Sequence, residues 1–98
     1  MRMTVAIIRP DMLESVKEPL DPSEFSVIVS EVKVREAREK VTPIYRRIKH
    51  SRDLLPKLRV NTRVDDEDVG TVAAIIARAA RVREIAGSRI FAMPVEEL

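Results

Sequence analysis

The sequence predicts an α+β fold: a ferredoxin-like βαββαβ sandwich with a long basic loop between strands 2 and 3. Three observations lead there. β-branched runs near residues 3–9, 25–34, 54–64 and 89–93 are separated in turn by helical spacing, a loop, and helical spacing again. That order makes two βαβ halves, which fold together as an antiparallel sheet with both helices on one face. The third observation is the connection over residues 35–53, REAREKVTPIYRRIKHSRD. It far exceeds the ~4–6 residues usual between elements of a compact domain, and connections of that length are commonly functional.

Each element has its own signal. Residues 3–9 form a compact β-branched run that Pro10 ends. Asp11 is placed to cap a helix through Leu20, with Leu13, Val16, Lys17 and Leu20 at three- and four-residue spacing and Pro19 weakening the last turn. Asp21, Pro22 and Ser23 are turn chemistry. Phe25, Val27 and Val29 then alternate with Ser26, Ile28 and Ser30, as in a strand with one better-buried face. In the third strand Leu58, Val60, Thr62 and Val64 face one way, and Lys57, Arg59, Asn61 and Arg63 the other. The second helix opens on the acidic residues 65–68 and carries an apolar stripe of Val69, Val72, Ala73, Ile76, Ala79 and Ala80. Arg78, Arg81 and Arg83 gather at its end, where the helix dipole favours cations. Gly87 stops that segment ahead of the last strand.

Ninety-eight residues are expected to make one domain, residues 1–98. Aromatic residues are limited to Phe25, Tyr45 and Phe91, so the core is built from aliphatic side chains. The absence of cysteine excludes disulfides and thiol catalysis and fits the cytoplasm. The apolar run at the start is stopped by Pro10 and Asp11 too early for a signal peptide or a membrane span. The net charge of +2 conceals segregation. From Lys33 through Arg63 there are eleven basic and three acidic residues, a balance of +8, which leaves seven basic and thirteen acidic residues, −6, elsewhere. A charged arm on a small scaffold points to a partner.

Several chemistries compete for these residues. The carboxylates of Asp65, Asp66 and Asp68 are explained by a helix N-terminus without invoking acid–base catalysis. His50 is the only histidine, and without cysteine it cannot make a closed zinc site by itself. Arg46, Arg47, Lys49 and His50 form a basic run that would give only salt-sensitive contact with a nucleic-acid backbone. No interleaved aromatics or RNP-like segment accompany it, which argues against a nucleic-acid platform.

Longer stretches carry more. MTVAIIRPDMLESVKEPL from Met3, SEVKV from Ser30, TPIY from Thr42, RDLLPKLRV from Arg52 and AIIARAARVREIAGSRIFAMPVEEL from Ala74 resemble the P-II signal-transduction proteins along nearly the whole chain. The resemblance implies a non-enzymatic homotrimer whose long connection is the T-loop, docking into a protein target such as a membrane transporter or an enzyme. It also implies an adenine nucleotide (ATP, ADP or AMP) between subunits, with no insertion into the membrane. On that basis the candidate nucleotide or anion contacts are Lys57, Arg89, Arg38, Gly87 and Ser88. The candidate partner contacts are Tyr45, Arg46, Arg47, Lys49 and His50.

Departures from the family pattern narrow this expectation. Val34 and Glu36 stand where ligand-sensing members have glycines, and a side chain there blocks close backbone approach. Arg38 replaces a glutamine that helps hold magnesium and 2-oxoglutarate, so 2-oxoglutarate is not expected as a ligand. Residues 82–89, VREIAGSR, keep few glycines of the family's second phosphate loop, although Arg89 keeps a cation at the lysine position. His50 occupies the place of the uridylylated tyrosine, and Tyr45 matches a second, unmodified one. The sequence stops at Leu98, short of the arginine-bearing tail of longer relatives. The alternative reading is a trimeric interaction module with no effector at all.

Overall fold

A computed structural model describes residues 1–35, 54–80 and 89–98. Strands β1 (Arg2–Ile8), β2 (Val27–Val34), β3 (Leu55–Val64) and β4 (Arg89–Pro94) form one antiparallel sheet in the order β2-β3-β1-β4. Helices α1 (Leu13–Lys17) and α2 (Val69–Ala80) complete the predicted βαββαβ order. The basic connection at residues 36–53 and the segment 81–88, with Arg81, Arg83 and Gly87, lie outside the described residues.

Register explains which face is buried. Ala6 stands opposite Val60 on β3 and Ile90 on β4, and Thr4 opposite Thr62 and Ala92. Ala6, Ile8, Val60 and Val64 meet Val16 and Leu20 from the first helical segment and Val72, Ile76 and Ala80 from α2 in one apolar cluster. Because side chains alternate along a strand, the next residues in each strand point to the opposite, helix-free face. The predicted alternation holds in β3 and in part at β2: Phe25, Val27 and Leu58 pack against the helix-side cluster, whereas Val29 is exposed.

The first helix is shorter than its spacing suggested. Asp11 does not cap it, because its carboxylate is taken by Arg9, whose Nε donates to Oδ1 at 3.0 Å. Residues Pro10–Met12 form a 3-10 turn instead. The helix then closes at Lys17, with the Glu18 N–H donating to the Glu14 carbonyl at 3.0 Å. Pro19 lacks the amide that the next turn requires. The predicted turn at 21–23 is an Asx turn: Ser23 donates its backbone N–H at 2.9 Å and its hydroxyl at 2.8 Å to Asp21 Oδ1. The backbone donor, and secondarily the hydroxyl, hold the Asp21 carboxyl below the usual range.

α2 begins one step later than its acidic start. Asp66–Asp68 form a 3-10 turn, with no side-chain cap from Asp65. Asp66 accepts from the N-terminal ammonium at 2.7 Å, and that hydrogen bond and charge, with a smaller contribution from Arg2, lower its pKa. Val72, Ile76 and Ala80 are the stripe's buried members, with Val69 and Ala79 packed beside them. Ile75 joins the cluster as well. No helix among the described residues is long and apolar enough to cross a membrane.

One core position is internally mismatched. Thr4 Oγ1 donates to the Thr62 carbonyl at 3.1 Å, yet the fully buried Thr62 Oγ1 has no hydrogen-bond partner among the described residues. A buried hydroxyl without a partner destabilises by about 1–3 kcal/mol. Thr62→Val keeps the β-branched shape and the backbone carbonyl that Thr4 uses. It is expected to raise the melting temperature by a few degrees, on the order of 1 kcal/mol, in a calorimetric scan. An unchanged or lower value would mean that the hydroxyl is satisfied.

Candidate functional site

The open face of the sheet is where charge and exposed apolar surface meet. β3 places Lys57, Arg59, Asn61 and Arg63 on it at two-residue intervals, as the sequence alternation predicted. Their environments differ. Lys57 is only 6% exposed, whereas Arg59 and Arg63 are exposed. Arg63 Nη1 pairs with Glu97 at 2.9 Å, and Arg59 Nε donates to the neutral Asn61 Oδ1 at 3.2 Å. Lys57 has no hydrogen bond or ion pair with any described residue. Removing an ammonium from water without a counter-charge is unfavourable, which keeps Lys57 a candidate anion contact.

Register brings a second candidate cation into the same corner. Ile7 pairs with Arg59 on one side and with Arg89 on the other, so the two arginines share a row across the sheet. Of the five candidate ligand contacts, Lys57 and Arg89 are therefore placed on one face. Arg38, Gly87 and Ser88 lie outside the described residues, as do the partner-contact candidates Tyr45, Arg46, Arg47, Lys49 and His50. Sequence reasoning passed over Arg59. The signal was present in the alternation that puts it on the face of Lys57, but its closeness to Arg89 follows only from the pairing of β4 with β1.

The far end of β3 is acidic. A cleft of about 480 Å³ there is lined by Glu24, Asp65, Asp68 and Glu97, with Arg63 and Phe25. Carboxylate oxygens of Asp65, Glu67 and Asp68 lie within 4.8 Å of one another, all on exposed residues. Their place just before α2 accounts for them, since anions are favoured at that pole of a helix. β3 itself carries only basic charges, Lys57, Arg59 and Arg63, and the carboxylates follow directly after its end at Asp65.

The remaining open-face surface is apolar. Ile28, Asn61, Val5 and Phe91 form one cross-strand row, in which Ile28 is 60% and Phe91 53% exposed. Val5 is buried but stands apart from the helix-side cluster.

Comparison with known proteins gives this arrangement its setting. The family model described as "Nitrogen regulatory protein P-II" matches residues 1–98. The chain is similar to nitrogen regulatory protein P-II 2 of Methanothermobacter thermautotrophicus, at 38% identity over 99 residues, covering 100% of this chain and 86% of that protein. It is similar to nitrogen regulatory protein P-II of Nostoc punctiforme, at 37% over 99 residues, 100% of this chain and 88% of that one. The P-II protein of Rhizobium leguminosarum bv. viciae is 32% identical over 98 residues, with coverage of 100% and 88%. Full-length agreement at this level, together with the sheet order, settles the matter: the chain belongs to the P-II family of nitrogen regulatory proteins, which are signal-transduction regulators rather than enzymes.

Proposed function

We propose that residues 1–98 form a homotrimeric cytoplasmic regulator that controls a protein target, a membrane transporter or an enzyme, through the segment 35–53. Control comes from an adenine nucleotide (ATP, ADP or AMP) bound between subunits with its phosphates near Lys57 and Arg89. The observation that carries this reading is the buried Lys57, which has no hydrogen bond or ion pair among the described residues and lies three residues into the strand that follows the basic connection. An anion arriving there acts on the base of the arm. If it favours one arm conformation, it shifts the population able to dock by no more than its differential affinity. Tyr45, Arg46, Arg47, Lys49 and His50 are the contacts proposed for the target. Val34 and Glu36, in place of glycines, and Arg38, in place of a glutamine that helps hold magnesium and ligand, argue against 2-oxoglutarate.

Trimer formation is supported by the open face. It exposes Ile28 and Phe91, and β2 and β4 are the edge strands of the sheet, with no further strand paired to them among the described residues. A cyclic assembly buries such a face and protects such edges.

Titration calorimetry with ATP, ADP, AMP and 2-oxoglutarate tests the reading. The nucleotides are expected to bind and 2-oxoglutarate is not. Lys57→Ala should weaken nucleotide binding by roughly ten-fold or more, the usual worth of a charge-assisted hydrogen bond. Nucleotide affinity indifferent to Lys57 would remove the effector site and leave a constitutive interaction module.

A further inference from the structure

We propose that the groove between α1 and the start of β2 is a second docking surface, one that takes a basic amphipathic helix from a protein partner. It lies on the helix side of the sheet, away from the open face, and stands independently of the reading of Lys57. The apolar layer is incomplete there. Phe25 and Val27 sit half-buried at the margin of the helix-side cluster, and Val29, next on the same side of β2, is exposed and outside it. A cleft of about 460 Å³ opens beside Phe25 and Val27, with Leu20 and Pro22 completing its apolar lining.

The rim of this groove is acidic. Glu14, Lys17 and Glu18 border it from α1 and its C-cap. Lys17 Nζ is directed to Glu14 at 3.4 Å, while Glu18 has no ion pair among the described residues. Residues 14–31 hold five acidic residues and one basic one, a balance of −4. The complement of an apolar floor with an acidic border is an apolar stripe flanked by lysine or arginine. The same charges disfavour an anionic lipid surface. Phe25 to Val29 is four residue steps, roughly 13 Å of extended backbone. That length matches about nine residues of helix, which present anchors at i, i+3, i+4 and i+7 on one face. A helix laid there extends the layer that α1 and α2 begin on this side of the sheet.

The probe is a fluorescein-labelled amphipathic peptide of about 14 residues, leucine on one face and lysine on the other, read by anisotropy against the full chain at fixed ionic strength. It is expected to bind, and the same peptide with glutamate for lysine to bind roughly ten-fold more weakly. Val29→Thr keeps the β-branched shape but sets a hydroxyl in the contact; it should weaken the lysine peptide roughly five-fold with the melting temperature unchanged. Glu18→Lys should weaken it about three-fold, since exposed pairs are individually weak. Glu67→Lys, an equal change of charge just before α2, should leave it unaltered. Equal losses for Glu18→Lys and Glu67→Lys reduce the attraction to net charge and overturn the groove as its seat, as does parent-like binding by Val29→Thr. If the peptide binds only after Arg46, Arg47 and Lys49 are changed to glutamine, the chain's own basic segment holds the groove and a separate partner is overturned. If Val29→Thr lowers the sedimenting mass with no peptide present, the groove is a contact between copies, and the proposal falls.

Discussion

Ile76→Ala is expected to destabilise the fold by about 3 kcal/mol, within the range for large-to-small changes at fully buried sites. Ile76 is 0% exposed and sits midway along α2, between the buried Val72 and Ala80. The stripe shares one buried cluster with Ala6, Ile8, Val60 and Val64 of the sheet and with Val16 and Leu20 of the first helical segment, mostly short or β-branched side chains with little reach to fill a void. The lost methyl and methylene groups therefore leave a cavity rather than a collapse, and both contributions add. In a chain of this length the melting temperature should fall on the order of 15 °C. Ile76→Val, which removes a single methylene, should cost about 1 kcal/mol. A loss for Ile76→Ala no greater than that for Ile76→Val would mean that α2 shifts to close the void.

Why the sequence yielded the fold so readily is visible in the same residues. Period-two alternation in β3 and the three- and four-residue stripe in α2 are local patterns, and local patterns survive into the folded state when burial agrees with them. The first helix was misjudged for an equally local reason. Asp11 was free to cap in the sequence, but Arg9, two residues earlier, competes for the same carboxylate. Spacing of apolar residues cannot register that competition, nor the amide missing at Pro19.

The candidate site was half legible. Lys57 and Arg89 were named from resemblance, and the strand register then placed them on one face. That Lys57 is buried while Arg59 is exposed could not be read from alternation, because both occupy the same side of one strand. Arg59 and Arg89 are thirty positions apart, and they share a row only because β1 lies between β3 and β4. Such proximity is a property of topology and is invisible to any window along the chain.

The second large effect concerns assembly. Phe91→Lys is expected to convert the proposed trimer to monomers while leaving the far-ultraviolet circular dichroism unchanged. Phe91 is 53% exposed and pairs with Val5 on the face away from the helices, so the core does not depend on it. In an isolated chain a lysine at an exposed edge-strand position is tolerated, and lysine is even a device that natural edges use against pairing. In a closed trimer the same change buries three ammonium groups against an apolar row. Lysine is preferred to glutamate as the probe for a specific reason. Arg89, two residues earlier, and Arg59, in its row, give the face a cationic corner with which an introduced carboxylate would pair. A cation has no such partner on the open-face strand positions. Sedimentation velocity should then report one chain for Phe91→Lys and three for the parent and for Phe91→Leu. If Phe91→Lys sediments with the parent, the subunits associate through some other surface, and the row from Ile28 to Phe91 is free for a different occupant.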